Sequence, residues 1–140
     1  MDGNKPVLLV EDDQVDALTV KRAFRELDIS NSVINVGNGE EALEYLINQN
    51  NEKPCLILLD INMPKMNGIE FLKKFRQNDL LRYIPVVVIT TSCDDNDKYE
   101  MFSLSVSGYM VKPIEYEIFL NTMNTIKSYW SLSKYPPVVQ

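Results

Sequence analysis

Hydrophobic positions in this chain fall into short unbroken runs and longer stripes at helical spacing, and the two kinds of segment alternate from one end to the other. Residues 7–10 are wholly apolar and stop at Glu11-Asp12-Asp13, the pattern of a strand covered on both faces. Val20, Phe24 and Leu27 recur at helical spacing over residues 16–27, and Ser30-Asn31 closes that helix before a second apolar run at 33–36. A turn at Gly37-Asn38-Gly39 leads into the stripe Ala42, Leu43, Leu46 and Ile47, a second helix. Residues 56–59 form a third strand closed by Asp60, and Ile69, Leu72 and Phe75 mark a third helix ending near Asn78. The most β-branched stretch, residues 85–89, terminates in Thr90-Thr91-Ser92 and reads as a central or next-to-edge fourth strand. A weaker helix over 95–104, a short strand over 109–111 ending at Lys112-Pro113, and a long helix over 115–130 follow. Residues 1–130 thus form one domain, and 131–140 read as a tail.

Five strands alternating with five helices predict an α/β fold, a doubly wound parallel sheet with helices on both faces. In such a sheet the ligand site lies beyond the carboxyl ends of the strands, where strand order reverses. Glu11, Asp12, Asp13, Asp60, Thr90 and Lys112 all stand at strand ends, so the fold gathers them into one crevice. Any one of them alone is ordinary, since acids cap helices and lysines lie in solvent. Together they are not, because convergent carboxylates repel unless their pKa values shift or a cation joins them. Hard oxygen donors in a partly open site suit Mg²⁺. A carboxylate facing a divalent cation and a lysine has what in-line phosphoryl transfer needs, a nucleophile and positive charge for the equatorial oxygens. Asp60 is the natural nucleophile because it stands alone at its strand end.

Composition narrows the chemistry further. The 140 residues fit one domain, and 45% hydrophobic with 24% charged content is ordinary for a globular protein. The longest apolar runs fall far short of the ~20 residues of a membrane span, and the run at 7–10 is too short for a signal peptide, so a cytoplasmic location is expected. The net charge of −6, without a run of Lys or Arg, gives no expectation of nucleic-acid binding. Cys55 and Cys93 lack C-x-x-C spacing and are expected to be reduced. There is no histidine, which excludes a histidine-based triad, a His-ligated zinc site and a phosphohistidine carrier. Nor is there a G-x-x-x-x-G-K-[ST] loop, and Gly37-Asn38-Gly39 lacks the remaining glycine of a dinucleotide loop.

The strand-end motifs resemble those of the receiver domains of two-component response regulators. Residues 8–13 are similar to the first-strand acidic motif, residues 58–68 to the phosphoacceptor loop, residues 88–92 to the switch strand and residues 108–113 to the lysine motif. The resemblance implies a flavodoxin-like strand order 2-1-3-4-5, phosphorylation on Asp60, and Mg²⁺ held by Asp12, Asp60 and the carbonyl of Asn62, with Glu11 acting through water. It also implies that Lys112 and Thr90 contact the phosphoryl group, and that the Lys112-Pro113 bond is cis. Asp16, the Thr90-Thr91-Ser92 triplet and the Tyr129-Trp130 helix end are most similar to short regulators paired with phytochrome-type kinases. Ser105-Val106 stands where many receivers carry Gly-Ala, and Thr91 is bulkier than the usual residue.

By the same resemblance Thr90 and Tyr109 are the switch pair, reporting phosphorylation to the face formed by the fourth helix, fifth strand and fifth helix. The expected partners are a sensor histidine kinase or a phosphotransfer protein, and a second copy of the chain docked on that face with help from Tyr135, Val138 and Val139 in the tail. Two other readings stand beside the switch. One is a hydrolase with an aspartyl-phosphate intermediate, which would want an acid/base carboxylate where Asn62 stands. The other is an interaction module that works without phosphorylation.

Overall fold

The computed structural model describes residues 5–112 and 115–133. Ten elements alternate: β1 (Val7–Val10), α1 (Gln14–Glu26), β2 (Val33–Val36), α2 (Gly39–Ile47), β3 (Leu56–Leu59), α3 (Gly68–Arg76), β4 (Val86–Thr90), α4 (Asp95–Ser103), β5 (Gly108–Val111) and α5 (Tyr116–Leu132). The strands form one parallel sheet in the order β2-β1-β3-β4-β5, so β4 lies next to an edge.

The unbroken apolar runs divide their side chains between two faces, as the period of two requires. Leu8, Val10, Ile57, Leu59, Val86 and Val88 pack with Ala42, Leu46, Phe71, Phe75 and Met101 beneath α2, α3 and α4. Val7, Leu9, Leu56, Leu58, Val87 and Ile89 pack with Ala17, Val20, Phe24, Phe119 and Met123 beneath α1 and α5. Each central strand residue is thus buried whichever way it points, which is why these strands show no polar alternation.

Side-chain caps start four of the helices. Asp13 caps α1, Asn38 caps α2, Asn67 caps α3 in a capping box with Glu70, and Asp94 caps α4. The turn at 37–39 is therefore a helix start. α4 buries only Met101, and its far end is tied down from outside: Arg76 donates to the carbonyls of Leu104 and Ser105, and also to that of Arg82 before β4. Ser105 adopts a left-handed φ of 65°, the conformation glycine adopts most readily.

α5 runs to Leu132, two residues beyond its predicted end, so Ser131 and Leu132 belong to the helix rather than to a tail. Nothing in Ser-Leu breaks a helix, and the Ser131 hydroxyl bonds back to the Lys127 carbonyl at 2.6 Å. Phe119 and Met123 face the core, whereas Ile118, Tyr129 and Leu132 are exposed. Trp130 meets Tyr129 edge-on with ring centroids 4.8 Å apart. The expectations for the Lys112-Pro113 bond and for Tyr135, Val138 and Val139 fall outside the described residues.

Candidate functional site

Strand register delivers the acids to one level. Val10 pairs with Leu59 and the Asp60 N–H donates to the Val10 carbonyl at 3.0 Å, so Glu11 and Asp60 leave adjacent strands side by side. Asp12, one residue further, is exposed while Glu11 and Asp60 are buried. One carboxylate oxygen from each of Glu11, Asp12 and Asp60 lies within 4.8 Å of the other two. Burial pushes the Glu11 carboxyl up from 4.5 to about 7; the hydrogen bond from Lys112 opposes this and the charge of Asp60 adds to it.

Lys112 enters from the other side of the crevice. Its N–H donates to the Thr90 carbonyl at 2.7 Å, which fixes the lysine to the end of β4. Its Nζ contacts Glu11 Oε1, lies 2.8 Å from Asp16 Oδ2, and stands 3.8 Å from Asp60 Oδ2. Burial by itself would depress the ammonium, but hydrogen bonds to Asp16 and Glu11 and the charge of Asp60 outweigh it and raise its pKa. The lysine is therefore held protonated.

The loop after β3 closes the crevice. Asn62 is exposed; its N–H points at Asp60 Oδ1 at 3.3 Å and its Nδ2 at Thr91 Oγ1 at 3.4 Å. Gly68 packs directly on the backbone of Asp60: a Cβ there would stand 2.4 Å from the Asp60 carbonyl oxygen, well inside van der Waals contact, and its N–H donates to Ile61 at 2.9 Å. Only glycine permits this approach.

The structure thus brings together the side chains of Glu11, Asp12, Asp60 and Lys112. Thr90 is fully buried, and its hydroxyl oxygen accepts the Ser92 N–H at 3.3 Å. Its neighbour Thr91 lines the cavity of about 310 Å³ that holds Glu11, Asp16, Asp60 and Lys112. Tyr109 reaches the same β4–α4 turn, its hydroxyl donating to the Ser92 carbonyl at 2.9 Å with its ring 6.3 Å from that of Phe102.

Two neighbours were not singled out for the site from sequence. Asp16 is the ion-pair partner of Lys112; the available signal was an acid in the first turn of α1, one turn beyond the acidic motif. Asn35 in β2 donates through Nδ2 to the carbonyls of Leu9 and Glu11, both at 3.1 Å, and so braces the turn that carries Glu11 and Asp12. A polar residue in an edge strand gives no such signal.

Three oxygen acids opposite an ammonium form a donor set that fits a hard divalent cation and leaves positive charge for an anionic ligand. Fold and site define a class: a doubly wound α/β domain with an acidic, cation-accepting crevice at the switch point of its sheet. The chain belongs to the response regulator receiver domain family, which matches residues 7–124. It is 37% identical over 127 residues to a probable methanogenesis regulatory protein, FilR2, of Methanothrix harundinacea, covering 89% of this chain and 82% of that one. With response regulator Rcp1 of Synechocystis sp. it shares 35% identity over 130 residues, 90% of this chain and 88% of the relative. The phosphorylated cyanobacterial phytochrome response regulator RcpA superposes with a TM-score of 0.85 at 31% identity, and the Mn²⁺-bound form of Rcp1 with 0.84 at 34%. Each superposition covers 95% of this chain and 99% of the other. Receiver-domain response regulators are signalling switches that receive phosphoryl groups from histidine kinases, not enzymes that turn over a metabolite. Among the described residues no helix is long and apolar enough to cross a membrane.

Proposed function

We propose that Asp60 is the phosphoacceptor of a Mg²⁺-dependent phosphorelay switch. The observation that carries this reading is the convergence of the Asp60 carboxylate with the oxygens of Glu11 and Asp12, all within 4.8 Å of one another, beside the Lys112 ammonium, which contacts Glu11 and stands 3.8 Å from Asp60. An Asp60 oxygen attacks phosphorus as the bond to the donor breaks, and the donor leaves with that electron pair. Lys112 supplies positive charge to the phosphoryl oxygens. Asp12 and Asp60, with the Asn62 carbonyl and with Glu11 through water, would hold Mg²⁺, which when bound neutralises charge on the transferring group.

The donor is a histidine kinase or a phosphotransfer protein. A phytochrome-type kinase is favoured by likeness to Rcp1 and RcpA, the second a phytochrome response regulator by its description. Self-phosphorylation from small donors and slow self-dephosphorylation belong to the same site, since they need only Asp60, the cation and water. Thr90 turns from Ser92 toward the phosphoryl group, and Tyr109 turns inward behind it, altering the face of α4, β5 and α5. Exposed Tyr99, Phe102, Val111, Ile118 and Tyr129 on these elements favour docking of a second copy there.

Acetyl phosphate with Mg²⁺ tests the reading. The wild type gains one acid-labile phosphoryl group and Asp60→Asn gains none. Label on the variant would remove Asp60 from this role.

A further inference from the structure

Asp16 has no part in the scheme above. It is the third residue of α1, where an acid ordinarily reaches back to the N–H of the N-cap and completes a capping box. Here the N-cap is Asp13, and its N–H points at Glu11 Oε2 at 3.5 Å instead. The Asp16 carboxylate leaves its own helix and accepts a hydrogen bond at 2.8 Å from Lys112, 96 positions along the chain. It also lies outside the set of acids whose oxygens converge for a cation.

The lysine's allegiance is therefore divided. An ammonium has three donors; Glu11 and Asp16 take two, and Asp60 Oδ2 at 3.8 Å is beyond hydrogen-bonding distance. A cation that draws on Glu11 and Asp60 leaves Asp16 still paired with the lysine. The Lys112 side chain is only 12% exposed and that of Asp16 39% exposed, so water screens this pair less than a surface ion pair.

We propose that Asp16 is a positioning residue that holds Lys112 back from Asp60 and competes with a phosphoryl group on Asp60 for the same ammonium. The proposal rests on the assignment of Asp60 and Lys112 given above. An ammonium bonded to a carboxylate gives less of its field to phosphoryl oxygens, so Asp16 sets how firmly the phosphorylated state is held.

Beryllofluoride, which takes the place of the phosphoryl group on an aspartate, measures this directly when its bound fraction is followed by ¹⁹F NMR at saturating Mg²⁺. Asp16→Asn binds it at least about fivefold more tightly than wild type, the low end of ordinary coupling between sites. Asp16→Glu restores the competing charge and returns the affinity toward wild type. In a Lys112→Ala background, Asp16→Asn changes the affinity by less than about twofold, because the lysine that carries the effect is gone.

Equal gains in both backgrounds would show the charge acting through space on the anion and would overturn the proposal. So would unchanged or weaker binding by Asp16→Asn, or by Asp16→Ser should the amide variant unfold at lower temperature than wild type. If no form of the protein, wild type included, binds beryllofluoride, the assignment of Asp60 fails, and the proposal with it.

Discussion

The Lys112 N–H donates to the Thr90 carbonyl at 2.7 Å, so the lysine proposed to bind the phosphoryl group and the threonine proposed to follow it are joined through one backbone bond. Charge arriving at Lys112 Nζ acts on a strand end already tied to β4. Lys112→Ala removes the charge and keeps this bond. Phosphorylation by acetyl phosphate is expected to persist at a reduced level, while binding of a partner to the α4–β5–α5 face no longer responds to it. Equal partner affinity for the phosphorylated variant and phosphorylated wild type would contradict this.

Loss of one cation ligand has a larger effect than loss of a neighbouring charge. Asp12→Ala is expected to weaken Mg²⁺ binding at least about tenfold, since few protein oxygens hold the ion. Asp13→Ala, which removes the α1 cap but no proposed ligand, leaves Mg²⁺ affinity within about twofold and costs roughly 1 kcal/mol of stability. Titration calorimetry and thermal unfolding of the two variants separate the effects.

Glu11 gives the site a pH dependence with a definite sign. Burial first, then the charge of Asp60, raises its carboxyl from 4.5 to about 7 against the hydrogen bond from Lys112. Between those values the metal-free folded chain keeps a proton that the unfolded chain has lost, so this contribution to stability is full below 4.5 and disappears as pH rises through about 7. Cation binding favours the carboxylate and expels the proton. Mg²⁺ titration is therefore expected to release protons at pH 6 and nearly none at pH 8, as read with an indicator dye. Equal release at both would exclude Glu11 as the source.

Gly68→Ala places a methyl group 2.4 Å from the Asp60 carbonyl oxygen, and the backbone on either side is the only thing that can yield. The variant is expected to be less stable by roughly 1–3 kcal/mol and to accept phosphate more slowly, because the displaced segment carries Asp60. Denaturant unfolding and the rate with acetyl phosphate check the two effects together.

Association through α4, β5 and α5 predicts a dimer that Tyr99→Lys and Ile118→Glu, both at exposed positions, disrupt without loss of fold. Sedimentation of the full chain and of one ending at Ser133 assigns any contribution of the remaining residues. Monomers at tens of micromolar in every form, with and without beryllofluoride, would end the dimer reading.

The architecture was legible because the strands are unbroken apolar runs that stop at charged or hydroxyl residues, and each stop falls at a strand's carboxyl end. That rule located Glu11, Asp60 and Lys112 before any contact was known. What it left out depends on register and rotamer. Asp16 and Lys112 are 96 positions apart and meet only because α1 begins beside the end of β5. Asn35 reaches Leu9 and Glu11 only because β2 and β1 pair in the observed register. The hydroxyl of Thr90 was expected at the phosphoryl group, but in this state it accepts the Ser92 N–H, a local bond that strand-end position alone does not reveal. Helix α5 passed its expected end because the sequence there contains no breaker.

The carbonyls of Leu104 and Ser105, both held by Arg76, make the far end of α4 a fulcrum. The near end is joined to β4 through Ser92, whose hydroxyl donates to Asp97 at 2.6 Å. Nine residues of helix span about 13 Å, so a tilt of roughly 10° about the clamped end carries the near end about 2 Å. Of the five helices α4 buries the fewest residues and is fastened at the end remote from the chemistry, so that a small step at the crevice would become a lever stroke across the outer face.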